Sequence, residues 1–167
     1  SYNPKEGTVK GNDKIIATLN DLLSDELTAI NQYWVHAEMC SNWGYERLHE
    51  GAEKRALEEM KHAEMLIERI IFLDGKPVVS NLKGIHIGGE VETQHKNDLA
   101  AEEGAVVGYN AGVAQARDLG DNGTRELLES ILKDEEEHLD WLEAQLDQIG
   151  QMGIQNYLAQ QLDEGED

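Results

Sequence analysis

Residues 128–146 read Leu-Glu-Ser-Ile-Leu-Lys-Asp-Glu-Glu-Glu-His-Leu-Asp-Trp-Leu-Glu-Ala-Gln-Leu, and the fold turns on how this stretch is read. Its apolar residues Leu128, Ile131, Leu132, Leu139, Leu142 and Leu146 recur at three, four and seven, the period of one helical face. Glu135 and His138 fill the gap in that stripe, so a carboxylate and an imidazole three residues apart share the apolar side. A second stretch has the same design, with Glu59 and His62 set among Ala52, Ala56, Ala63, Leu66 and Ile70. The Glu-x-x-His spacing also occurs at Glu46 and His49 and at Glu92 and His95. The first of these is flanked at helical spacing by Asn42, Glu50 and Glu53, and the second meets Lys96 just after a glycine loop. Those two pairs are expected to be solvated.

Working outward, both prolines and most glycines fall outside four long segments rich in Ala, Leu, Ile, Glu and Lys, the good helix formers. The first runs from about Asn12 to Trp43, with Gly44 as its stop. The second runs from about Tyr45 to Leu73, ended by Gly75 and Pro77. The third spans about Val91 to Leu119. After the turn at residues 120–123 the fourth starts at Thr124, read as its N-cap, and continues to about Ile149. Residues 74–90 carry Pro77, Gly84, Gly88 and Gly89, too many for a tight turn and enough to travel the length of a helix. Gly150 and Gly153 set apart a short fifth helix, 154–162. The expected fold is all-α: two antiparallel hairpins joined by a long crossover, the pattern of the ferritin-like four-helix bundle, with a short fifth C-terminal helix. The whole chain, 1–167, is expected to be one such domain, with residues 1–11 an N-terminal extension and residues 163–167 a frayed tail.

Composition narrows the function. With 40% hydrophobic and 29% charged residues, the chain is that of a folding globular protein. Asp and Glu number 34 against 14 Lys and Arg, a formal charge of −20. That charge repels nucleic acid backbones and anionic membranes and favours cations. No stretch approaches the roughly 20 apolar residues of a membrane span. Cys40 is the single cysteine, which excludes an intrachain disulfide or a Cys-x-x-Cys site and fits a reducing, cytoplasmic setting.

Inward acids imply metal, a basic partner or protonation, because burying a carboxylate without a partner costs several kcal/mol, and metal fits best. Two further acids interrupt apolar stripes: Glu26 among Leu22, Leu23, Ile30 and Tyr33, and Glu102 among Leu99, Val106, Tyr109 and Val113. Glu59 follows Glu26 by 33 residues, and Glu135 follows Glu102 by 33. Tyr33 and Tyr109 each stand seven residues after their glutamate, so the whole pattern repeats at an offset of 76. One Glu from each of two helices plus Glu-x-x-His from each of the other two is the di-iron carboxylate arrangement. Four carboxylates neutralise two Fe(II). Oxygen and imidazole donors suit iron or manganese, and zinc fits the same cage without redox chemistry.

Over roughly residues 10–162 the chain resembles the bacterioferritins. The resemblance is carried by residues 26–33 (Glu-Leu-Thr-Ala-Ile-Asn-Gln-Tyr), 58–64 (Glu-Glu-Met-Lys-His-Ala-Glu), 134–143 (Asp-Glu-Glu-Glu-His-Leu-Asp-Trp-Leu-Glu) and 153–158 (Gly-Ile-Gln-Asn-Tyr-Leu). It implies a 24-subunit homo-oligomeric cage, built of two-fold dimers, that oxidises Fe(II) with O2 or H2O2 at a di-iron ferroxidase centre and stores the ferric product. By motif position Glu26 and His62 hold one iron and Glu102 and His138 the other, with Glu59 and Glu135 bridging. Met60 lies about 100° round the helix from Glu59, off the inward face. The resemblance makes it the axial ligand of a haem, haem b or a relative, shared between two subunits, with Leu27, Asn31 and Trp34 on the haem-pocket side and a ferredoxin as electron donor. Tyr33 is a candidate electron donor to the iron pair, although a hydrogen-bonded buried tyrosine is the plainer reading. Cys40 is read as a small buried hydrophobe, Trp43 and Trp141 as packing, and His36, His49, His86 and His95 as having no partner.

The chain departs from part of the family at an extra inner-surface iron site, where some members carry His and Asp but Lys54 and Glu58 stand here. The rival reading is another di-iron or di-manganese enzyme of the same bundle: a catalase, a peroxidase or an oxygenase. The lone cysteine removes an attached rubredoxin centre, and the short fifth helix suits a cage better than a free enzyme.

Overall fold

A computed structural model of the chain describes residues 10–163. The expected segment before Lys10 and all but the first residue of the expected tail lie outside the described residues. Five helices follow in order: α1 (Asp13–Trp43), α2 (Glu46–Phe72), α3 (Val91–Asp118), α4 (Asn122–Met152) and α5 (Ile154–Ala159). No helix among the described residues is long and apolar enough to cross a membrane.

Local chemistry sets the ends. Asn12 caps α1, its side chain accepting from the backbone N–H groups of Lys14 and Ile15, and Gly44 ends the helix in the left-handed region at φ 83°. At the end of α2 the left-handed residue is Asp74, φ 63°, rather than the expected Gly75. Gly75 is required for space instead, since a Cβ there would stand 2.8 Å from the Ile16 side chain. The α4 cap also differs from expectation. Asp121, not Thr124, accepts from a first-turn amide, that of Thr124 itself, and α4 therefore begins at Asn122. The Thr124 hydroxyl is engaged elsewhere, donating to Asp121 and accepting from Arg69 of α2, which also holds the Asp121 carboxylate at 2.8 Å. At its far end α4 runs through Gly150 to Met152, and α5 stops at Ala159, earlier than residue 162.

Short loops fold α1 against α2 and α3 against α4, and the two hairpins meet along a core of Leu19, Leu22, Leu23, Leu66, Leu128 and Ile131. A smaller apolar cluster at the other end joins Cys40, Leu48, Val91, Ile149 and Tyr157. Between them lies a polar layer that contains the candidate site.

The crossover is held by a ladder absent from the sequence reading. Asn20, Ser24, Thr28, Gln32 and His36 stand four apart on one face of α1, and each bonds the crossover backbone. Asn20 meets Lys76 O and Val78 N, and Ser24 donates to Asn81 O. Thr28 accepts from Lys83 N, Gln32 from His86 N, and His36 Nε2 from Gly88 N. A strap without helix or strand thus finds partners for backbone groups that would otherwise face a helix unpaired. Gly88 permits the approach: a Cβ there would lie 2.4 Å from the Gln94 backbone nitrogen.

Three histidines expected to lack partners, His36, His49 and His95, have them. His36 passes the ladder on to Asp98 through Nδ1, 2.9 Å away, and Asp98 also accepts from Gln32 and Arg55. His95 is buried, not solvated, because α5 folds back and sets the Tyr157 hydroxyl 3.0 Å from its Nε2. Tyr157 in turn donates to Gln145, so it accepts from His95 and leaves His95 Nδ1 unprotonated. His49 lies nearer the surface, as expected, but it too has partners, bonded to Ala37 O and paired with Glu53.

Burial first, and then the nearby Arg55 charge, push the His95 imidazole down to about 4 from 6.5. Between those values the unfolded chain binds a proton that the folded chain refuses, so stability falls as pH drops from 6.5 towards 4, by up to about 3 kcal/mol. Thermal melts of wild type and His95→Gln across this range should show the extra slope in wild type only. Parallel slopes would refute the buried neutral imidazole.

Candidate metal centre

Each of the four long helices sends one or two acidic or imidazole groups into the polar layer. Glu26 (α1), Glu59 and His62 (α2), Glu102 (α3), and Glu135 and His138 (α4) are all buried. The structure brings all six together. Their donor atoms form two groups whose members lie within 4.8 Å of one another: Glu26, Glu59, His62 and Glu135, and Glu59, Glu102, Glu135 and His138. Glu59 and Glu135 belong to both groups. The two rings stand with centroids 6.5 Å apart.

The imidazoles are oriented by crossed pairs. His62 of α2 turns Nε2 to Asp134 of α4, at 2.9 Å, while His138 of α4 turns Nε2 to Glu58 of α2, at 2.5 Å. Each of these acids immediately precedes a shared glutamate. With Nε2 engaged outward, Nδ1 faces the carboxylates: His62 Nδ1 lies 3.0 Å from Glu135, and His138 Nδ1 lies 3.1 Å from Glu59 and 3.4 Å from Glu102. Fixing one nitrogen of a ligand imidazole determines what the other presents to a metal. The tyrosines are exchanged between hairpins in the same way. Tyr33 of α1 donates to Glu102 of α3, and Tyr109 of α3 donates to Glu26 of α1. Tyr33 is thus a buried hydrogen-bonding group, with the Arg55 guanidinium 4.6 Å above its ring.

Without metal, protons hold this cluster together. Burial, then the neighbouring Glu59 charge, raises Glu26 well above the carboxylate range. Burial and hydrogen bonding to Glu102 raise Glu135 likewise. Burial would raise Glu59 too, but bonds from Glu26, His138 and His62 overcome it and hold Glu59 ionised. Burial opposes charge on both histidines, yet their carboxylate partners outweigh it, lifting His62 far above its usual value and His138 to about 10. Even so, Glu26 Oε2, Glu102 Oε2, Glu135 Oε1 and His62 Nδ1 are buried without a hydrogen-bond partner. Unsatisfied donors of this kind, converging on one place, fit a divalent metal pair.

Arg55 and Asp98, buried beside the site, were missed by the sequence reading. Asp98 sits four residues before Glu102 on the same helical face, and that spacing was the available signal. Leu99, taken as inward, is only half-buried.

Other singled-out residues lie apart from this centre. Met60 and Trp34 are exposed, at 42% and 44%; Asn31 is exposed and Leu27 half-buried. Trp43 is partly exposed at the end of α1, whereas Cys40 is buried, with burial pushing its thiol up to about 11.

A four-helix bundle that gathers four carboxylates and two imidazoles around two overlapping donor groups has the donor set of the di-metal carboxylate bundles. The model of the ferritin-like domain matches residues 16–152. Curated relatives include bacterioferritins from Mycobacterium leprae, 39% identical over 91% of this chain and 96% of the relative, and Brucella melitensis, 40% identical over 89% and 92%. The bacterioferritin of Rhodobacter capsulatus is 36% identical over the same shares of chain and relative. The chain therefore belongs to the ferritin-like family, and within it to the bacterioferritins.

Two outcomes follow from the proton-filled centre and its crossed pairs. Metal binding must expel protons, so Co(II) affinity should rise with pH across the neutral range, and calorimetry in buffers of different ionisation enthalpy should register the released protons; a pH-independent affinity would contradict this. Asp134→Asn, at a half-exposed residue with no core packing, should weaken Co(II) binding by about 10- to 100-fold through loss of His62 orientation. Unchanged affinity would make the pairing incidental.

Proposed function

We propose that this chain oxidises Fe(II) to Fe(III) at the centre formed by Glu26, Glu59, His62, Glu102, Glu135 and His138, and stores the ferric product inside a 24-subunit cage. The observation that carries the reading is the pair of donor groups sharing Glu59 and Glu135. Two Fe(II) substrates would lie one in each group, with Glu26 and His62 holding one, Glu102 and His138 the other, and Glu59 and Glu135 bridging. Each pair yields two electrons on oxidation, enough to take O2 to peroxide or H2O2 to water. Iron storage, detoxification and a cytoplasmic setting are what the bacterioferritin relatives and the lone reduced cysteine support.

The chain's own groups divide the work. Glu26 and Glu135 surrender their protons as Fe(II) arrives, and the carboxylates supply the negative charge that favours the ferric state. Asp134 and Glu58 keep Nδ1 of each histidine aimed at iron. Tyr33 and Tyr109 steady the terminal glutamates, and Tyr33, the phenol nearest Arg55, is the candidate one-electron donor.

A haem site is the second part of the proposal. Met60 fits as an axial ligand because its soft, neutral thioether is exposed, as are Leu57, one turn before it on α2, and Trp34 of α1. Met60 and its copy in a two-fold partner would hold one haem, with Leu27, Asn31 and Trp34 beside it. Bound there, haem supplies one-electron transfer for reductive release of iron, fed by a ferredoxin.

Glu135→Ala and His62→Ala should each abolish rapid Fe(II) oxidation while the cage still assembles, read by stopped-flow absorbance and native mass; normal kinetics in both would move the centre elsewhere. Met60→Leu should abolish a bis-methionine haem spectrum and preserve cage size and Fe(II) oxidation. Persistence of that spectrum would refute the ligand assignment.

A further inference from the structure

The centre opens to the outside through a cleft of about 480 Å³ between α1, α3 and the crossover. Its inner wall carries Glu26, Glu102 and Glu135, each with a buried oxygen that has no hydrogen-bond partner. Its outer rim carries Asp21 and Asp25, one helical turn apart on α1, and Lys83 of the crossover. The Lys83 ammonium lies 2.6 Å from Asp25 and 2.9 Å from Asp21. A cation therefore already stands on the rim, between two carboxylates and above a cleft leading to unsatisfied ones.

We propose that Lys83 is a displaceable latch on this cleft: its ammonium occupies the position that Asp21 and Asp25 offer to a metal ion, and arriving Fe(II) exchanges with it before moving inward. The inference rests on the reading of the centre given above. Three features make the exchange easy. Lys83 is anchored by its backbone, whose N–H donates to Thr28 at 2.9 Å, so the strap stays in place when the head group moves. The head sits on a flexible four-carbon stem, and the side chain is 40% exposed, so water screens the pair and little holds it. A divalent ion brings twice the charge of the ammonium to the same two carboxylates, whereas a monovalent ion brings no advantage. The latch would thus keep Na⁺ and K⁺ off the rim while admitting Fe(II).

The test is anaerobic stopped-flow uptake of Co(II) by the assembled protein, followed by the visible absorbance of Co(II) in the centre, which needs no oxidation step. Lys83→Gln should raise the second-order uptake rate about threefold or more at low salt, the gain expected from removing one unit charge several ångströms from the path. The gain should shrink as salt is raised. Lys83→Arg, which keeps the charge, should restore slow uptake. In an Asp21→Asn/Asp25→Asn background, uptake should slow and Lys83→Gln should bring no gain, because the latch then has nothing to cover. Equal or slower uptake in Lys83→Gln overturns the proposal, as does a gain that survives high salt or the double-Asn background, which would mark a loosened strap. If the wild type itself develops no Co(II) absorbance, the reading of the centre fails and the latch with it; a flat Lys83→Gln response on a working wild type removes the latch alone.

Discussion

Four carboxylates packed within a few ångströms in a dry helical bundle cannot all remain charged without cations among them. That constraint organises the molecule. In the metal-free chain, raised proton affinity leaves Glu26 and Glu135 uncharged, the two imidazoles carry the positive charge, and Glu59 keeps a negative charge beside them. The pair of divalent ions proposed for this centre would neutralise the same carboxylates and give partners to the oxygens left without one. The six side chains belong to four separate helices, so the cluster depends on the packing of the whole bundle.

The two hairpins answer the constraint with the same device used twice. Each lends its tyrosine to the other's terminal glutamate, and α2 and α4 each lend an acid to the other's histidine. Such crossed pairs tie the register of one hairpin to that of the other, which is why the glutamate spacing repeats so faithfully along the chain. Away from this centre, Trp34 of α1 and Leu57 and Met60 of α2 are exposed apolar side chains.

Residues 128–146 and their counterpart around Glu59 made the bundle and the six central residues legible, because period and spacing are local properties that sequence carries openly. What stayed hidden depends on partners distant in the chain. His95 was read as solvated because nothing near it announces that Tyr157, 62 residues on, folds back onto it. Asp121 takes the capping role expected of Thr124, whose hydroxyl is instead held between Asp121 and Arg69 of another helix. The polar ladder from Asn20 to His36 has a visible four-residue spacing, yet polar residues at that spacing equally describe a wet helical face; only the crossover laid along it reveals the function. Arg55 and Asp98 escaped for the same reason, each being costly to bury alone and tolerable only with the other.

The most direct test of the central claim is anomalous diffraction from crystals of the protein loaded anaerobically with Fe(II). The account predicts two iron peaks in each subunit, one beside Glu26 and His62 and one beside Glu102 and His138, with Glu59 and Glu135 reaching both. A single peak, or iron bound only away from these six side chains, would contradict it.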